Sequence, residues 1–261
     1  MKPLPVVITY ERRIMVKIIY VNDYDEMSER AAKIIAKQIN QAPNSTLGLA
    51  TGATPEGLYQ KLIQLNKQGK VSFKDVTTFN LDEYVGLPHT DKNSYRYFMN
   101  NHLFDHIDIN RNNVHIPNGL VDDLEEECKR YEAKIKEIDV QVLGLGLNGH
   151  IGFNEPGTSF SSRTHLVSLT DSTRKANSRY FQKLDDVPRM AITMGIETIL
   201  ESKRLILLVS GEEKSEAVER LVNGNISEDF PASILKSHPE VVLIADKAAL
   251  KRLNVQNELV C

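Results

Sequence analysis

The sequence predicts an α/β protein built on a mainly parallel sheet, with helices on both faces of the sheet. Strand-like and helix-like stretches alternate along most of the 261 residues, a pattern typical of parallel strands joined by crossover helices. Several strand-like stretches are apolar on both faces, as strands between two helical layers are. We expect a single domain over residues 15–261, after a loose extension over residues 1–14.

The individual elements follow from the spacing of apolar side chains. Apolar residues at successive or alternate positions predict strands, and apolar residues three or four apart predict helices. Strands are predicted at residues 16–21, 46–50, 76–80, 114–116, 140–145, 165–169, 205–209 and 241–245, and residues 191–194 lead into a short helix. Helices are predicted at residues 25–40, 55–66, 94–104, 120–138, 171–181 and 212–223, with a short one from residue 246. Thr54 and Asp171 are the expected N-caps of two of these helices, with Pro55 at the first helical position.

The composition suits a globular protein with a sizeable core, because 41% of the residues are hydrophobic and 26% are charged. The net charge of −3 provides no basic excess for a nucleic-acid backbone. No apolar run approaches the roughly 20 residues that span a bilayer. The two cysteines, Cys128 and Cys261, are typical of free thiols in a reducing compartment. We therefore expect a cytoplasmic protein with neither a nucleic-acid nor a membrane partner.

The stretch DVQVLGLGLNGHIGFNEP, residues 139–156, concentrates candidate chemistry. A predicted strand ends in a glycine-rich turn that holds His150 and Glu155, with Asn148 and Asn154 beside them. Histidine is a general acid or base near neutral pH, and a carboxylate can orient it. Ligands of open α/β sheets bind beyond the carboxyl ends of the strands. An ordinary turn with a satisfied histidine is the alternative, but the density of polar groups favours a site.

The stretch LGLATGATPEG, residues 47–57, places a Thr-Gly-Ala-Thr turn between a strand and a helix. Free N–H groups and the helix dipole attract anions at a helix start. The turn at Gly52, Ala53 and Thr54 is therefore a candidate phosphate site, although an ordinary capped helix would give the same pattern. It matches neither the Walker loop nor GxGxxG, so a nucleotide is not indicated.

Charged residues elsewhere could complete this site. Asp82 lies just beyond a strand that should end on the same edge as His150, and a carboxylate there could remove a proton from carbon. A solvated acidic turn is the alternative. Arg179 and Lys214 could reach a phosphate on the turn at Gly52, although each alone is typical of a surface charge.

One pair of histidines has the spacing of metal ligands, but the surrounding sequence does not support a metal site. His102 and His106 have the i, i+4 spacing of metal ligands. No third ligand is evident, and HLFDH lacks the glutamate of the HExxH pattern. We interpret the two as ordinary residues near a helix end and predict no metal site.

Taken together, four segments resemble the glucosamine-6-phosphate deaminase family, in the family's order and spacing. They are LATGATPEGLY, TTFNLDEYVGLP, GLGLNGHIGFNEP and SRTHLVSLTDSTRKANSRYF, within a similarity that runs over about residues 15–250. The resemblance implies a Rossmann-like sheet and the conversion of glucosamine 6-phosphate to fructose 6-phosphate and ammonia, in amino-sugar breakdown. It also implies that no metal or organic cofactor is needed.

The resemblance implies a role for each candidate residue. Asp82 corresponds to the base that moves a proton between carbon 2 and carbon 1 of the opened sugar. His150 corresponds to the acid/base that opens the pyranose ring, and Glu155 to its carboxylate partner. The residues at the phosphate-binding positions are Gly52, Ala53, Thr54, Arg179 and Lys214.

Two features depart from the family pattern. Asn148 stands where many members have an aspartate; an amide can still orient the imidazole of His150 but adds no negative charge. Some members are activated by an acetylated sugar phosphate at a basic site, and the corresponding positions here are Thr158, Ser159, His165 and Val167. These side chains are weakly cationic at most, so we expect no strong allosteric activation.

Other interpretations remain open at this stage. The same scaffold could hydrolyse a sugar-phosphate lactone, as 6-phosphogluconolactonases do, or serve as a sugar-phosphate sensor. A nucleotide-binding protein is a weaker alternative. The polar residues 153–188 are the predicted mobile lid of the single domain. The sequence is compatible with a monomer or a homo-oligomer, and with either the glucosamine or the galactosamine epimer as substrate.

Overall fold

The computed structural model describes residues 16–253, apart from the side chains of Ser172 and Ala176. The predicted extension over residues 1–14 and the thiol of Cys261 lie outside the described residues. The strands are β1 (Val16–Val21), β2 (Thr46–Leu49), β3 (Thr77–Asn80), β4 (Asp82–Tyr84), β5 (Val114–His115), β6 (Val140–Gly144), β7 (His165–Ser168), β8 (Met190–Thr193), β9 (Leu205–Val209) and β10 (Val241–Asp246). The α-helices are α1 (Tyr24–Gln41), α2 (Ala53–Lys67), α3 (Tyr95–His102), α4 (Leu124–Lys134), α5 (Asp171–Asn177), α6 (Ile196–Leu200) and α7 (Ser215–Asn223).

Seven of these strands form one parallel sheet, in the order β1-β10-β9-β6-β2-β3-β5. Alternate residues of β9 show that both faces are covered. Ile206 and Leu208 pack into a core with α1 and α2, whereas Leu205 and Leu207 pack into a second core with α7. The predicted fold class, a mainly parallel sheet with helices on both faces, is therefore confirmed.

A second sheet was not predicted. Its three strands run antiparallel in the order β4-β8-β7, with Asp82 opposite Thr193 and Thr193 opposite His165. The acidic residues at 82 and 83 suggest a solvated turn in the sequence, but both are buried in β4. Three residues are too few for a periodic pattern, so only the pairing with β8 defines this strand.

Several predicted helix starts are wrong by a few residues. Helix α2 begins at Ala53 after Gly52, whose φ of 91° turns the chain into the helix earlier than the predicted cap Thr54. Helix α5 is capped by Thr170, whose hydroxyl accepts the N–H of Thr173, and not by Asp171. It ends at Asn177, and a 3-10 turn over Ser178–Tyr180 replaces its predicted last turn.

Two further predictions assigned residues to helices that the structure does not show as helical. Helix α4 begins only after Asp123, whose carboxylate accepts the N–H of Glu126. The predicted start at residue 120 is wrong because Leu120 is exposed and does not belong to the apolar stripe. The chain after Asp246 forms turns instead of the predicted short helix. No helix within residues 16–253 is long and apolar enough to cross a membrane.

Candidate active site

The candidate site residues follow four neighbouring strands, β9, β6, β2 and β3. Because these strands are parallel, their carboxyl ends lie at one edge of the sheet. Lys214 follows β9, His150 follows β6, the turn at Gly52 follows β2 and Asp82 follows β3. The fold thus carries these four parts to the edge where open α/β sheets bind ligands.

The histidine is oriented by the amide of Asn148. Nδ1 of His150 lies 2.7 Å from Oδ1 of Asn148, and Nδ2 of Asn148 donates to Oε2 of Glu155 at 2.7 Å. A carboxylate only accepts, which fixes the amide with its oxygen toward the ring. Nδ1 therefore carries the proton. Nε2 has no hydrogen-bond partner in the part of the chain that the structure describes, so its lone pair is available to a ligand.

Glu155 contacts the imidazole less directly than expected. Its Oε1 lies 3.9 Å from Nδ1 of His150, beyond hydrogen-bond distance, whereas Asn148 lies between the carboxylate and the ring. The structure therefore brings the three predicted residues together, but as a chain in which Glu155 acts through Asn148.

Close packing fixes the turn that carries this chain. The ring of His150 lies against Gly146, where an added Cβ would come within 2.3 Å of Nδ1, so a side chain at this position would displace the imidazole. The N–H of Ala232 donates to the carbonyl of Gly149 at 2.8 Å. Nζ of Lys214 donates to the carbonyl of Leu145, also at 2.8 Å. These contacts hold the turn and limit the positions that the imidazole can take.

Burial favours the neutral form of His150. Burial lowers the pKa of the imidazole, the positive charge of Lys214 lowers the pKa further, and the negative charge of Glu155 opposes both effects. The side chain is still 36% exposed, so a ligand can reach it. An imidazole with this environment can both accept and return a proton near neutral pH.

Asp82 and Glu83 are neighbours with different functions. Glu83 accepts the backbone N–H groups of Tyr84, Tyr95 and Arg96, so it fixes the start of α3. Asp82 is 6% exposed, and within residues 16–253 no donor binds its carboxylate. Burial raises the pKa of Asp82 to about 8, with a smaller contribution from the charge of Glu83. A carboxylate with a raised pKa is a stronger base than an exposed one.

The second sheet brings Asp82 to the turn that holds His150. Asp82 pairs with Thr193, whose hydroxyl accepts the N–H of Phe153. The buried amide of Asn154 donates to the carbonyl of Met194 at 2.8 Å. A Cβ added at Gly152 would lie 3.6 Å from Oδ2 of Asp82. Sequence reasoning missed Thr193, because a threonine inside a short strand carries no recognisable signal.

The turn after β2 leaves a helix start open to an anion. Helix α2 has Gly52 as its N-cap and no side-chain capping bond, so the N–H groups of its first turn are not occupied by a cap. The hydroxyl of Tyr24 donates to the carbonyl of Ala53 and accepts the N–H of Gly57, which holds this turn in place. The geometry suits a phosphate at Gly52, Ala53 and Thr54.

The two predicted cations are placed differently. Lys214 is partly buried, and burial is the main cause that lowers its pKa; Glu213 opposes the shift and Arg179 adds to it. Arg179 is exposed, with its guanidinium 4.8 Å from the ring of Tyr180 and bonded to the Tyr180 hydroxyl at 2.9 Å. Arg179 is therefore close enough to influence Lys214, but its guanidinium is bonded to the hydroxyl of Tyr180.

The histidines with metal-like spacing have other contacts. The ring of His102 stacks on Phe98 at 4.2 Å, and Nε2 of His106 contacts the carbonyl of Asn101 at 2.8 Å. Across the described ranges of the chain, no group of three or more potential ligands could hold a metal ion.

Comparison with known proteins identifies the family of this chain. A family model described as glucosamine-6-phosphate isomerases/6-phosphogluconolactonase matches residues 22–243. The chain belongs to this family. The family resemblance drawn from the sequence motifs is thus confirmed over most of the chain.

Relatives within the family differ widely in similarity. The glucosamine-6-phosphate deaminase of Oceanobacillus iheyensis is 56% identical over 241 residues, which are 91% of this chain and 96% of that protein. A solved monomeric glucosamine-6-phosphate deaminase is 53% identical with a TM-score of 0.88, covering 90% of this chain and 98% of the other. A 6-phosphogluconolactonase from Trypanosoma cruzi is only 18% identical, with a TM-score of 0.74, covering 94% of this chain and 100% of the other. The last comparison shows a shared fold alone.

The positions that correspond to the family's activator site have local partners. The hydroxyl of Thr158 donates to the carbonyl of Glu155 at 2.7 Å, and Nδ1 of His165 contacts the carbonyl of Arg163 at 2.8 Å. Val167 pairs with Ala191 in the second sheet. The absence of strong allosteric activation stays a prediction.

Proposed function

We propose that this chain converts glucosamine 6-phosphate and water to fructose 6-phosphate and ammonia. One observation carries the proposal: Asp82, a buried acid that accepts no hydrogen bond from any described residue, lies beside the turn that presents Nε2 of His150. Both lie at the sheet edge that holds the open start of α2. The 56% identical relative is named for this activity.

The phosphate anchors the far end of the sugar. Its oxygens accept N–H groups of Gly52, Ala53 and Thr54, and Lys214 supplies a charge-assisted bond. Arg179 swings from Tyr180 to complete the contact. Fixing the phosphate brings the ring to His150 and Asp82 and converts chemistry between separate molecules into chemistry within one complex.

Ring opening is the first chemical step. His150 moves the proton of the carbon-1 hydroxyl to the ring oxygen, so the bond between carbon 1 and the ring oxygen breaks and an aldehyde forms. The proton passes through Nε2, because Nδ1 is bonded to Asn148. The neutral imidazole accepts one proton and returns one, so it is unchanged at the end of the step.

Proton transfer between carbons follows. Asp82 takes the proton from carbon 2. The electron pair forms a double bond between carbons 1 and 2, the π bond of the aldehyde breaks, and its oxygen takes a proton from the ammonium group of the substrate, giving an enolamine with a hydroxyl on carbon 1. Asp82 then returns the proton to carbon 1, which leaves a ketimine at carbon 2. Water adds to the ketimine, and ammonia leaves as the carbonyl of fructose 6-phosphate forms. The raised pKa makes Asp82 a stronger base in its ionised form, which is the form that starts the transfer, and the acid that results returns the proton to carbon 1.

Exclusion of bulk water strengthens the electrostatic interactions of the bound sugar phosphate with the residues of the site. Residues 153–188 include β7 and α5, and the 3-10 turn that follows α5 carries Arg179. We propose that this segment closes over the bound sugar as a lid, as the polar composition of the stretch suggested. Closure keeps the carboxylate of Asp82 desolvated and delivers Arg179 to the phosphate.

A coupled assay tests the proposal. The purified chain is supplied with glucosamine 6-phosphate, galactosamine 6-phosphate or 6-phosphogluconolactone, and ammonia and fructose 6-phosphate are measured separately. We expect one ammonia for each fructose 6-phosphate from the glucosamine epimer. Lactone hydrolysis without ammonia release from either amino sugar would replace the proposal by the lactonase alternative.

Lys214→Ala should mainly raise KM, by about 10- to 100-fold, because a charge-assisted bond to the phosphate is lost. The measurement is the initial rate of ammonia release against substrate concentration. Lys33→Ala on the exposed face of α1, where Lys33 pairs with Glu29, is the control and should behave as the wild type. A fall in kcat at unchanged KM would remove Lys214 from the phosphate site.

Asn148→Asp should raise the pKa of His150, because a carboxylate beside Nδ1 stabilises the imidazolium. The imidazole would then stay protonated to a higher pH, and the limb of the pH–rate profile that belongs to His150 would move upward. The measurement is kcat/KM as a function of pH. An unchanged profile would show that Asn148 does not act on His150.

A further inference from the structure

Helix α5 contacts the chain of residues that orients His150. The hydroxyl of Thr173, on α5, donates to Oε1 of Glu155. Both residues are 8% exposed, so water does not readily replace this bond. The hydroxyl of Thr170 donates to that of Thr173 at 3.1 Å, which directs the Thr173 proton toward the carboxylate.

The two oxygens of Glu155 have separate donors. Oε1 accepts from Thr173, and Oε2 accepts from Nδ2 of Asn148. This division holds the carboxylate plane and keeps Oε2 directed at the amide. The amide in turn presents its oxygen to Nδ1 of His150. Rotation of Glu155 would bring Oε1, now 3.9 Å from Nδ1, toward the ring.

We propose that Thr173 is a positioning residue for His150: its hydroxyl holds Glu155 on Asn148 and so connects α5 to the tautomer and proton affinity of the imidazole. The proposal deepens the proposed function, on which its kinetic test rests. A displacement of α5 that breaks the bond to Glu155 would release the carboxylate from Asn148, so the orientation of Asn148 toward Nδ1 of His150 depends on the position of α5.

The direction in which loss of the Thr173 hydroxyl changes the proton affinity of His150 follows from the charges around the ring. The charged groups that act on His150 are Glu155, from its own turn, and Lys214, from the turn after β9. Asn148 is neutral. The Thr173 hydroxyl compensates part of the Glu155 charge, so its removal lets that charge act more strongly on the ring. The proton affinity of His150 should then rise.

Thr173→Val removes the hydroxyl and keeps the shape, whereas Thr173→Ser keeps the hydroxyl. A matched control on the same segment is Ser178→Ala, which removes the 2.7 Å bond from Ser178 to the carbonyl of Lys175 without touching Glu155. The readout is the 15N signal of His150 in histidine-labelled protein, titrated with pH and assigned among seven histidines with His150→Gln.

In the wild type we expect a proton on Nδ1 and none on Nε2 at neutral pH. In Thr173→Val the titration midpoint of His150 should rise by roughly one unit, while Thr173→Ser and Ser178→Ala keep the wild-type midpoint. The limb of kcat/KM that belongs to His150 should shift with the titration. Should the valine variant fail to fold, Thr173→Ala carries the same expectation.

Two results would overturn the proposal. One is an unchanged midpoint and tautomer in the folded valine and alanine variants. The other is an equal shift in Ser178→Ala, because it would indicate a general effect of a weakened α5. The titration requires no turnover, so a failure of the deaminase assay alone would leave this test valid.

Discussion

Asp82→Asn should lower kcat by on the order of 10³-fold or more, because asparagine cannot carry a proton from carbon 2 to carbon 1. Binding of the sugar phosphate should be nearly unchanged, since the amide has the size of the carboxyl group and the proposed phosphate contacts lie on α2 and Lys214. The measurements are ammonia release and calorimetric binding of fructose 6-phosphate. Loss of binding with the loss of turnover would assign Asp82 to substrate recognition.

The same variant gives an independent test of the raised pKa of Asp82. The folded protein keeps the Asp82 proton up to about pH 8, whereas the unfolded chain releases it near the ordinary value of about 3.9. Wild-type stability therefore falls as pH rises through this window. The asparagine variant lacks this effect, so its free energy of unfolding should increasingly exceed that of the wild type toward pH 8. A constant difference would contradict the raised pKa.

His150→Gln should lower kcat/KM for the cyclic sugar by about 10²- to 10⁴-fold, because glutamine cannot exchange a proton with the ring oxygen. Asp82 would still process the small open-chain fraction of the substrate. At high enzyme concentration, spontaneous ring opening should then limit the rate. The measurement is the rate of ammonia release over a wide range of variant concentrations.

The wild type is the control in the same series, and its rate should stay proportional to enzyme concentration. A variant whose rate is also proportional throughout, and close to that of the wild type, would show that His150 does not open the ring.

The parts of the fold that could be predicted are those with long, periodic sequence signals. Alternation of apolar strands and amphipathic helices predicted the parallel sheet and its two helical layers, because each strand such as Leu205–Val209 must be buried on both faces. The same topology predicted that the candidate site residues lie close together. Asp82, His150 and the turn at Gly52 follow parallel strands, and such strands end at one edge of the sheet.

Features that depend on pairing across the fold could not be predicted. Strand β4 exists because β8 lies beside it, and the sequence around Asp82 alone is typical of an acidic turn. The contact of Thr173 with Glu155 spans two elements. Glu83 and Asp82 are adjacent acidic residues. Only the structure shows that Glu83 fixes the start of α3, whereas Asp82 accepts no hydrogen bond within residues 16–253. Arg179 was expected at the phosphate, but its stacking on Tyr180 depends on a local rotamer.

The most direct test is a crystal structure of the complex with an open-chain amino-alditol 6-phosphate, which resembles the opened substrate but cannot isomerise. We expect its phosphate on the N–H groups of Gly52, Ala53 and Thr54 with Lys214 beside it, carbon 2 next to Asp82, and the hydroxyl derived from the ring oxygen near Nε2 of His150. A ligand bound with its phosphate away from α2, or with Asp82 and His150 on different sides of it, would contradict the account.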